Sequence, residues 1–387
     1  MRIAIAHSFY RLPGGEDSYV RKLEPLLGER HDLLMLTRDN SDLRSTAAAA
    51  SAMTFSLKNR RSATQALHAF RPDVIHLHNP YPSWGPSVHL AARALRIPVV
   101  MTVHNFRLRC PNGYMFTEGA LCSRCVDGNH ANAVIHKCFP NRGQAVTYAA
   151  ALWLHRFILR TERDLSRLVT PSLFMRDMVL SWGIEPQRVD VVRNFCERDE
   201  HASAVPGEFG LYAGRLSSEK GLTVLLKGLK LAGDPPFKIA GDGPLMGALI
   251  ALQGQLGLKN TEFLGHLDRD RLMAVMRRAR YVAFPSSWNE NAPIAAAEAL
   301  AAGRPLIVTD RGGLPELVRD SRGLCVPADD ADQLSRAIGR MNTDFDCRNA
   351  GENAMAFHRS ELTPEKHLSQ LEIVLRAAAE GHPVSSS

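Results

Sequence analysis

Short runs of apolar residues punctuate the first half of this chain, at residues 3–6, 33–36, 74–77, 99–103, 168–170 and 189–192. Stretches with apolar positions at helical spacing lie between them. A short run with no polar face suits a strand covered by helices on both sides, as in a buried parallel sheet. The same rhythm returns at residues 209–213, 237–240, 262–264, 281–284, 306–308 and 324–326. The pattern therefore predicts an α/β fold of two similar halves, each a Rossmann-like, doubly wound parallel sheet. Residues 196–208 (CERDEHASAVPGE) are polar and lack a period, which reads as a linker and sets domains at 1–197 and 198–360. Residues 361–378 carry a final amphipathic pattern, followed by a weakly polar tail at 381–387 that reads as frayed.

Composition adds modest constraints. A chain of 387 residues with 45% apolar content exceeds what one core usually serves, in keeping with two domains. The net charge of +7 is carried by the first half, where residues 1–200 hold 26 Lys and Arg against 18 Asp and Glu. An excess of that kind suits an anionic partner. No nucleic-acid signature accompanies it, so a membrane surface or a solvated face is the better expectation. The opening strand-like residues 1–6 meet His7 at once, too early for a signal-peptide core. The longest apolar stretch, residues 145–154, is far short of the roughly 20 residues of a membrane span. A cytoplasmic protein that is soluble or peripheral to the membrane is expected.

Candidate chemistry concentrates in residues 285–318, where polar groups stand at regular places inside an apolar frame. A strand ends at Pro285, a polar loop follows, and an alanine-rich helix runs from Ile294 to Gly303. Asn291 reads as the helix N-cap with Pro293 in the first turn, so free amides and the positive helix end face the loop. Such an end favours phosphate, and Ala292 and Ile294 complete the amide-bearing stretch. Glu290 and Glu298 bracket it, eight residues apart, in a way that lets each take one hydroxyl pair of a nucleotide sugar. Gly312-Gly313 and Glu316 follow in a turn where backbone can approach a ligand.

The spacing resembles the Glu-x7-Glu signature of glycosyltransferase family 4, the retaining, metal-independent sugar transferases of GT-B fold. Pro285, Glu290, Pro293, Glu298, Ala299, Gly303, Pro305, Gly312, Gly313 and Glu316 stand in that family's order. The residue after Glu290 is often glycine there and is Asn291 here. Gly214-Arg215 and Glu219-Lys220-Gly221 resemble the family's basic pair, which stabilises the departing nucleoside diphosphate. On the residues alone, two cations flanking a turn suit a diphosphate, Arg215 by its fork and Lys220 as a point charge. Gly14-Gly15, after Leu12-Pro13, resembles the family's Gly-Gly loop. His104 resembles the histidine that faces the donor sugar, whereas His76 and His78 read as structural strand-end histidines. The resemblance further implies that the last helix packs back onto the first domain and that the two domains face a cleft.

Asp268-Arg269-Asp270 imitates a metal-binding Asp-x-Asp but precedes a helix, so N-cap carboxylates explain it better and no catalytic divalent metal is expected. No organic cofactor is implied. Cys110, Cys122, Cys125 and Cys138 fall within an insertion at 107–141 that is poor in apolar residues. Four thiolates can satisfy tetrahedral zinc, and a metal would supply stability that packing cannot. Disulfides suit a reducing compartment poorly, and unligated or redox-active thiols are the remaining alternative. Some bacterial members of family 4 carry a similar insertion after the His-Asn pair. A helix over 144–165 mixes Arg with Trp153, Phe157 and Ile158 and could meet lipid headgroups.

The function implied is transfer of a sugar, of hexosyl type, from a nucleoside-diphosphate-sugar to a glycan or lipid-linked acceptor in polysaccharide or glycolipid assembly at the inner membrane face. Two rivals stand beside it. A GT-B epimerase or hydrolase of nucleotide sugars would share the donor site, and a nucleotide- or nucleic-acid-binding module would exploit the basic half but must tolerate Glu290 and Glu298.

Overall fold

The computed structural model describes residues 1–11 and 14–381. The expected Leu12-Pro13 part of the glycine loop and the end of the tail, residues 382–387, lie outside the described residues. The chain divides into two compact units. The first holds residues 1–118, 122–192 and the chain from Leu368 on, and the second holds 119–121 and 193–367.

The first unit is built on strands β1 (Arg2–Phe9), β2 (Asp32–Asp39), β3 (Val74–Leu77), β4 (Val99–Thr102), β5 (Leu165–Thr170) and β6 (Val189–Val191). They form one parallel sheet in the order β2-β1-β3-β4-β5-β6. Strands β3 and β4 are buried at every residue, as central strands of a covered parallel sheet are, and their two polar side chains, His76 and Thr102, bond each other. Helix α1 (Gly15–Gly28) follows β1 with Tyr19, Val20, Leu23 and Leu27 inward. Helix α2 (Arg142–Trp153) is capped by Asn141 and runs on as a π-helical turn, Leu154–Leu159, where one continuous helix to residue 165 was expected.

The second unit repeats the plan with β7 (Phe209–Ala213), β8 (Phe237–Ala240), β9 (Thr261–Gly265), β10 (Ala279–Phe284), β11 (Leu306–Thr309) and β12 (Gly323–Val326). Their order is β9-β8-β7-β10-β11-β12, again all parallel. Helix α3 (Leu222–Leu231) follows β7, α4 (Arg269–Arg277) lies between β9 and β10, and α5 (Ile294–Ala301) connects β10 to β11. Asp268 caps α4 by accepting from the Arg271 amide, so the Asp-x-Asp look-alike stands at a helix N-terminus with its first carboxylate as the N-cap. The last helix, α6, spans Pro364–Glu380, and its residues from Leu368 on belong to the first unit.

The division falls at Val192/Arg193 rather than at 197/198. Residues 196–208 are also no loose linker. Cys196 is fully buried and its amide donates to the Leu362 carbonyl, while buried Asp199 accepts a forked pair of bonds from Arg277. A segment without hydrophobic period can thus be fixed by polar anchors, which periodicity does not reveal.

Candidate active site

In the second unit three strands deliver the candidate polar groups at their carboxyl ends, where parallel sheets bind ligands. After β7 comes Gly214-Arg215, then a short turn at Ser218–Lys220 and Gly221 at the start of α3. After β10 comes Pro285 to Pro293, and after β11 the turn through Gly312. Glycine is required at two points that clamp these loops. Gly221 has φ +70° and a Cβ there would lie 1.8 Å from the Pro285 carbonyl oxygen; Gly312 has φ +63° and a Cβ would lie 2.0 Å from that of Glu290. The Glu290 carbonyl accepts from the Gly313 amide at 2.7 Å, the Ser287 amide donates to the Glu219 carbonyl at 2.9 Å, and Thr309 Oγ1 donates to the Ser286 carbonyl at 2.7 Å. These bonds hold the polar loop between the two flanking turns.

Glu290 is only 5% exposed. Its Oε1 accepts from Lys220 Nζ at 2.6 Å and from Ser286 Oγ at 2.8 Å. Burial would push its carboxyl up, but the Lys220 charge and hydrogen bonds from Lys220, Trp288 and Ser286 outweigh it and hold the group below the usual carboxylate range. Lys220 lies 5.0 Å from the centre of the Trp288 ring, a cation-π contact that further fixes the ammonium. Lysine has three N–H donors and Glu290 takes one, so the ammonium can still donate to an anion. Lys220 was expected to stand with Arg215 as a pair of diphosphate cations. In this structure Lys220 is the partner of Glu290, seventy residues away in sequence, and Arg215 is an exposed residue whose carbonyl accepts from Tyr212 Oη.

Asn291 is not the N-cap expected for α5. The cap position is Pro293, with φ −68° and ψ 125°, and it offers no side-chain cap bond. The ring of Pro293 drives the residue before it out of the helical region, so the helix cannot begin at Ala292 as an Asn291 cap would require, and it begins at Ile294. The consequence for chemistry is favourable: the first amides of α5, at Ile294 and Ala295, carry no capping side chain and sit at the positive end of the helix. Glu298, 8% exposed on α5, has Oε1 3.7 Å from Arg269 Nε on α4.

Two residues that sequence reading missed complete this arrangement. Asn194 Nδ2 donates to the Ala292 carbonyl at 3.0 Å and so fixes the stretch before α5. Arg193 Nη1 donates to Glu316 Oε2 at 2.9 Å, and Glu316 is buried beside the Gly312-Gly313 turn. Only a polar Arg-Asn pair after an apolar run marked them in the sequence, and their partners lie 123 and 98 residues on.

The first unit gathers its own polar cluster at the ends of β1, β3 and β4. His7 Nε2 and Asp17 Oδ1 share a bond of 2.9 Å, both fully buried, which ties α1 to β1 just past Gly14 and Gly15. His104 Nε2 shares a hydrogen bond of 3.0 Å with His78 Nδ1, and its ring meets Tyr19 edge-on. His76 bonds Thr102 Oγ1 at 2.8 Å, the structural role expected of it. Glu16 accepts from Tyr10 Oη at 3.0 Å and Asn105 Nδ2 at 3.2 Å, and burial foremost raises its carboxyl above the usual range.

Cys110, Cys122, Cys125 and Cys138 all line one small cavity together with His136. All seven cysteines are free thiols. Cys110 Sγ donates to Asn112 Oδ1 at 2.9 Å, and Cys138 Sγ lies 3.6 Å from Thr117 Oγ1. Burial first, and then the other three thiols, push Cys125 up to about 12. Among the described residues, no three His, Cys, Asp or Glu side chains are grouped so as to hold a metal ion.

Comparison with known proteins accounts for both units. Residues 196–356 match the family model described as glycosyl transferases group 1, and residues 14–194 match the glycosyl transferase 4-like domain. A glycogen synthase of Mycobacterium tuberculosis is 28% identical over 79% of this chain and 74% of its own length. A D-inositol 3-phosphate glycosyltransferase of Mycolicibacterium gilvum is 32% identical over 48% of this chain and 44% of its own. Among solved structures, Anabaena HepE in complex with UDP and glucose superposes with a TM-score of 0.70 at 17% identity, covering 97% of this chain and 100% of that one. Sucrose-phosphate synthase from Thermosynechococcus elongatus gives 0.69 at 18%, covering 98% and 100%. These likenesses show the GT-B fold of two parallel-sheet domains.

Proposed function

Because the chain belongs to the group 1 glycosyl transferases of family 4, we propose that it moves a hexose from a nucleoside-diphosphate-sugar to a glycan or lipid-linked acceptor, with retention and without a catalytic metal. The observation that carries the donor reading is the partly buried ion pair of Lys220 with Glu290, which stands four residues before the uncapped start of α5. Cleaving the sugar–phosphate bond leaves negative charge on the diphosphate. Lys220 Nζ and the amides of Ile294 and Ala295 are fixed donors for that charge, which need not reorganise during the reaction. Arg215, on an exposed turn, is free to add its fork once a diphosphate arrives.

Glu290, held ionised, accepts hexose hydroxyls, and Glu298 accepts those of the ribose after parting from Arg269. The acceptor oxygen bonds the anomeric carbon as the phosphate oxygen departs, and the acceptor proton passes to that departing oxygen. Attack from the leaving-group side keeps the anomeric configuration and needs no second carboxylate as nucleophile. HepE was solved with UDP-glucose as well as with UDP and glucose, which makes UDP-sugars the first donors to try.

The test measures nucleoside diphosphate released from each donor with and without glycan and lipid-linked acceptors. Release that requires an acceptor, persists in EDTA and yields the donor's own anomer supports the reading. Rapid full conversion of donor alone would instead favour an epimerase or hydrolase. Structural zinc in the insertion is a separate part of the proposal. Four thiols facing one cavity support it, and it requires them to draw together from their present places. About one zinc per chain in freshly purified protein carries it, and a metal-free preparation with four free thiols in the insertion removes it.

A further inference from the structure

Helix α2 and its π-helical continuation bury one side of themselves and leave a stripe on the other. Ala145, Ala149, Ala151, Leu152 and His155 face inward, with Ala151 and Leu152 packed beside Met53 and Tyr81. Outward stand Val146, 48% exposed, then Ala150, Trp153 at 49% and Phe157 at 41%, at helical spacings of four, three and four. Ile158 adjoins them at 59%, and the Trp153 and Phe157 rings lie 6.0 Å apart. Single exposed apolar residues are common, but a contiguous line of large ones on one helix face marks an interaction surface.

Charge identifies what covers it. Residues 128–161 contain no Asp or Glu, and exposed Arg142 and Arg160 stand at the two ends of the stripe; acids return only at its borders, at Asp127, Glu162 and Asp164. An apolar stripe with an aromatic pair, carrying cations at both ends and no acid along its length, is the composition of a helix that lies in a membrane interface with its polar flanks in the headgroups. Basic residues near an anionic leaflet contribute attraction that salt screens. No helix among the described residues is long and apolar enough to cross a membrane. A surface contact is therefore the form such binding takes.

We propose that the face carrying Val146, Trp153, Phe157 and Ile158 docks the first unit onto an anionic lipid surface. The docking goes beyond the transfer reaction and is independent of which donor the second unit holds.

The full chain is mixed with unilamellar vesicles of phosphatidylcholine, with or without about one third phosphatidylglycerol, and sedimented. The expected result is depletion by the anionic vesicles that is at least tenfold stronger than by the neutral ones and falls in high salt. Trp84 and Trp182 are buried and Trp153 is exposed, so binding should also shift tryptophan emission to the blue. The double variant Phe157→Glu/Ile158→Glu, altered only at exposed positions, should lose binding about tenfold with its melting temperature unchanged. Lack of depletion of the wild-type chain by anionic vesicles overturns the proposal, and so does undiminished binding by the folded double variant. A face meant for a protein partner would give the first of these results.

Discussion

Replacing Lys220 by Met keeps the length and apolar stem of the side chain and removes its charge. Glu290 is then left almost fully buried with Ser286 and Trp288 as its remaining donors. Removing one partner of a buried ion pair costs about 3–5 kcal/mol when both are sealed from water. Lys220 is 20% exposed and two neutral donors remain, which brings the figure to about 2 kcal/mol, or roughly 4–8 °C of melting temperature for a unit of this size. The variant carries its own signature in pH. In the wild type the Glu290 carboxyl sits below its ordinary value, so its contribution to stability is present above the unfolded-state value and is lost as pH falls through the folded one. Without Lys220, burial is the leading influence and raises the carboxyl. The sign reverses, and stability is lost as pH rises through the new, higher value. Lys220→Met/Glu290→Gln removes the stranded charge and should recover most of the lost stability. Scanning calorimetry from pH 4 to 8 on the wild type and the two variants measures this, and turnover on the same samples separates fold from chemistry. The single variant should lose about two to three orders of magnitude in kcat, the range for removing one fixed donor to a developing charge. The stable double variant should stay inactive. A folded Lys220→Met protein with wild-type turnover, or one no less stable than wild type, refutes the reasoning.

Gly312→Ala puts a Cβ 2.0 Å from the Glu290 carbonyl oxygen at a positive φ, so melting temperature and donor turnover should both fall, turnover at least tenfold, in a comparison with wild type. Glu298→Ala should raise KM for the donor about tenfold or more with a smaller change in kcat, because the lost bonds are to the ribose rather than to the reacting centre. Burial holds His130, His155 and His367 at about 4, below the unfolded value. Their contribution is complete above about pH 6.5 and is lost toward pH 4, with each adding up to about 1.4 kcal/mol per pH unit to the slope. Denaturant melts between pH 7 and 5 should show this slope, and a variant carrying His155→Gln should show a shallower one.

Much of the fold was legible because it is written in local patterns. Buried parallel strands declare themselves as short apolar runs, and the helices alternating with them imply that they run parallel, although not in which order they lie. The strand-end loops with Gly214, Glu290 and Gly312 could be placed for the same reason. What the chain did not disclose depends on contacts across long separations. Lys220 and Glu290 each suit a nucleotide sugar alone, but their mutual bond across seventy residues is invisible in spacing. Arg193 and Asn194, which anchor Glu316 and Ala292, look like the polar end of a strand. The N-cap was misplaced because Asn291 is a good capping residue by type, while the Pro293 ring dictates the backbone. Polar residues 196–208 read as linker although Asp199 is bound by Arg277, since an ion-paired segment leaves no periodic trace. The π-helical turn at Leu154–Leu159 likewise keeps a helical composition while changing which side chains face outward.

Calorimetric titration of the full chain with a panel of nucleoside diphosphates and their sugars, in EDTA, tests the donor site most directly. One base should bind one-to-one, with affinity falling at least tenfold in Lys220→Met and in Glu298→Ala while both variants remain folded. Binding that needs a divalent metal, or that ignores both substitutions, or no binding by any member of a complete panel, would contradict the account.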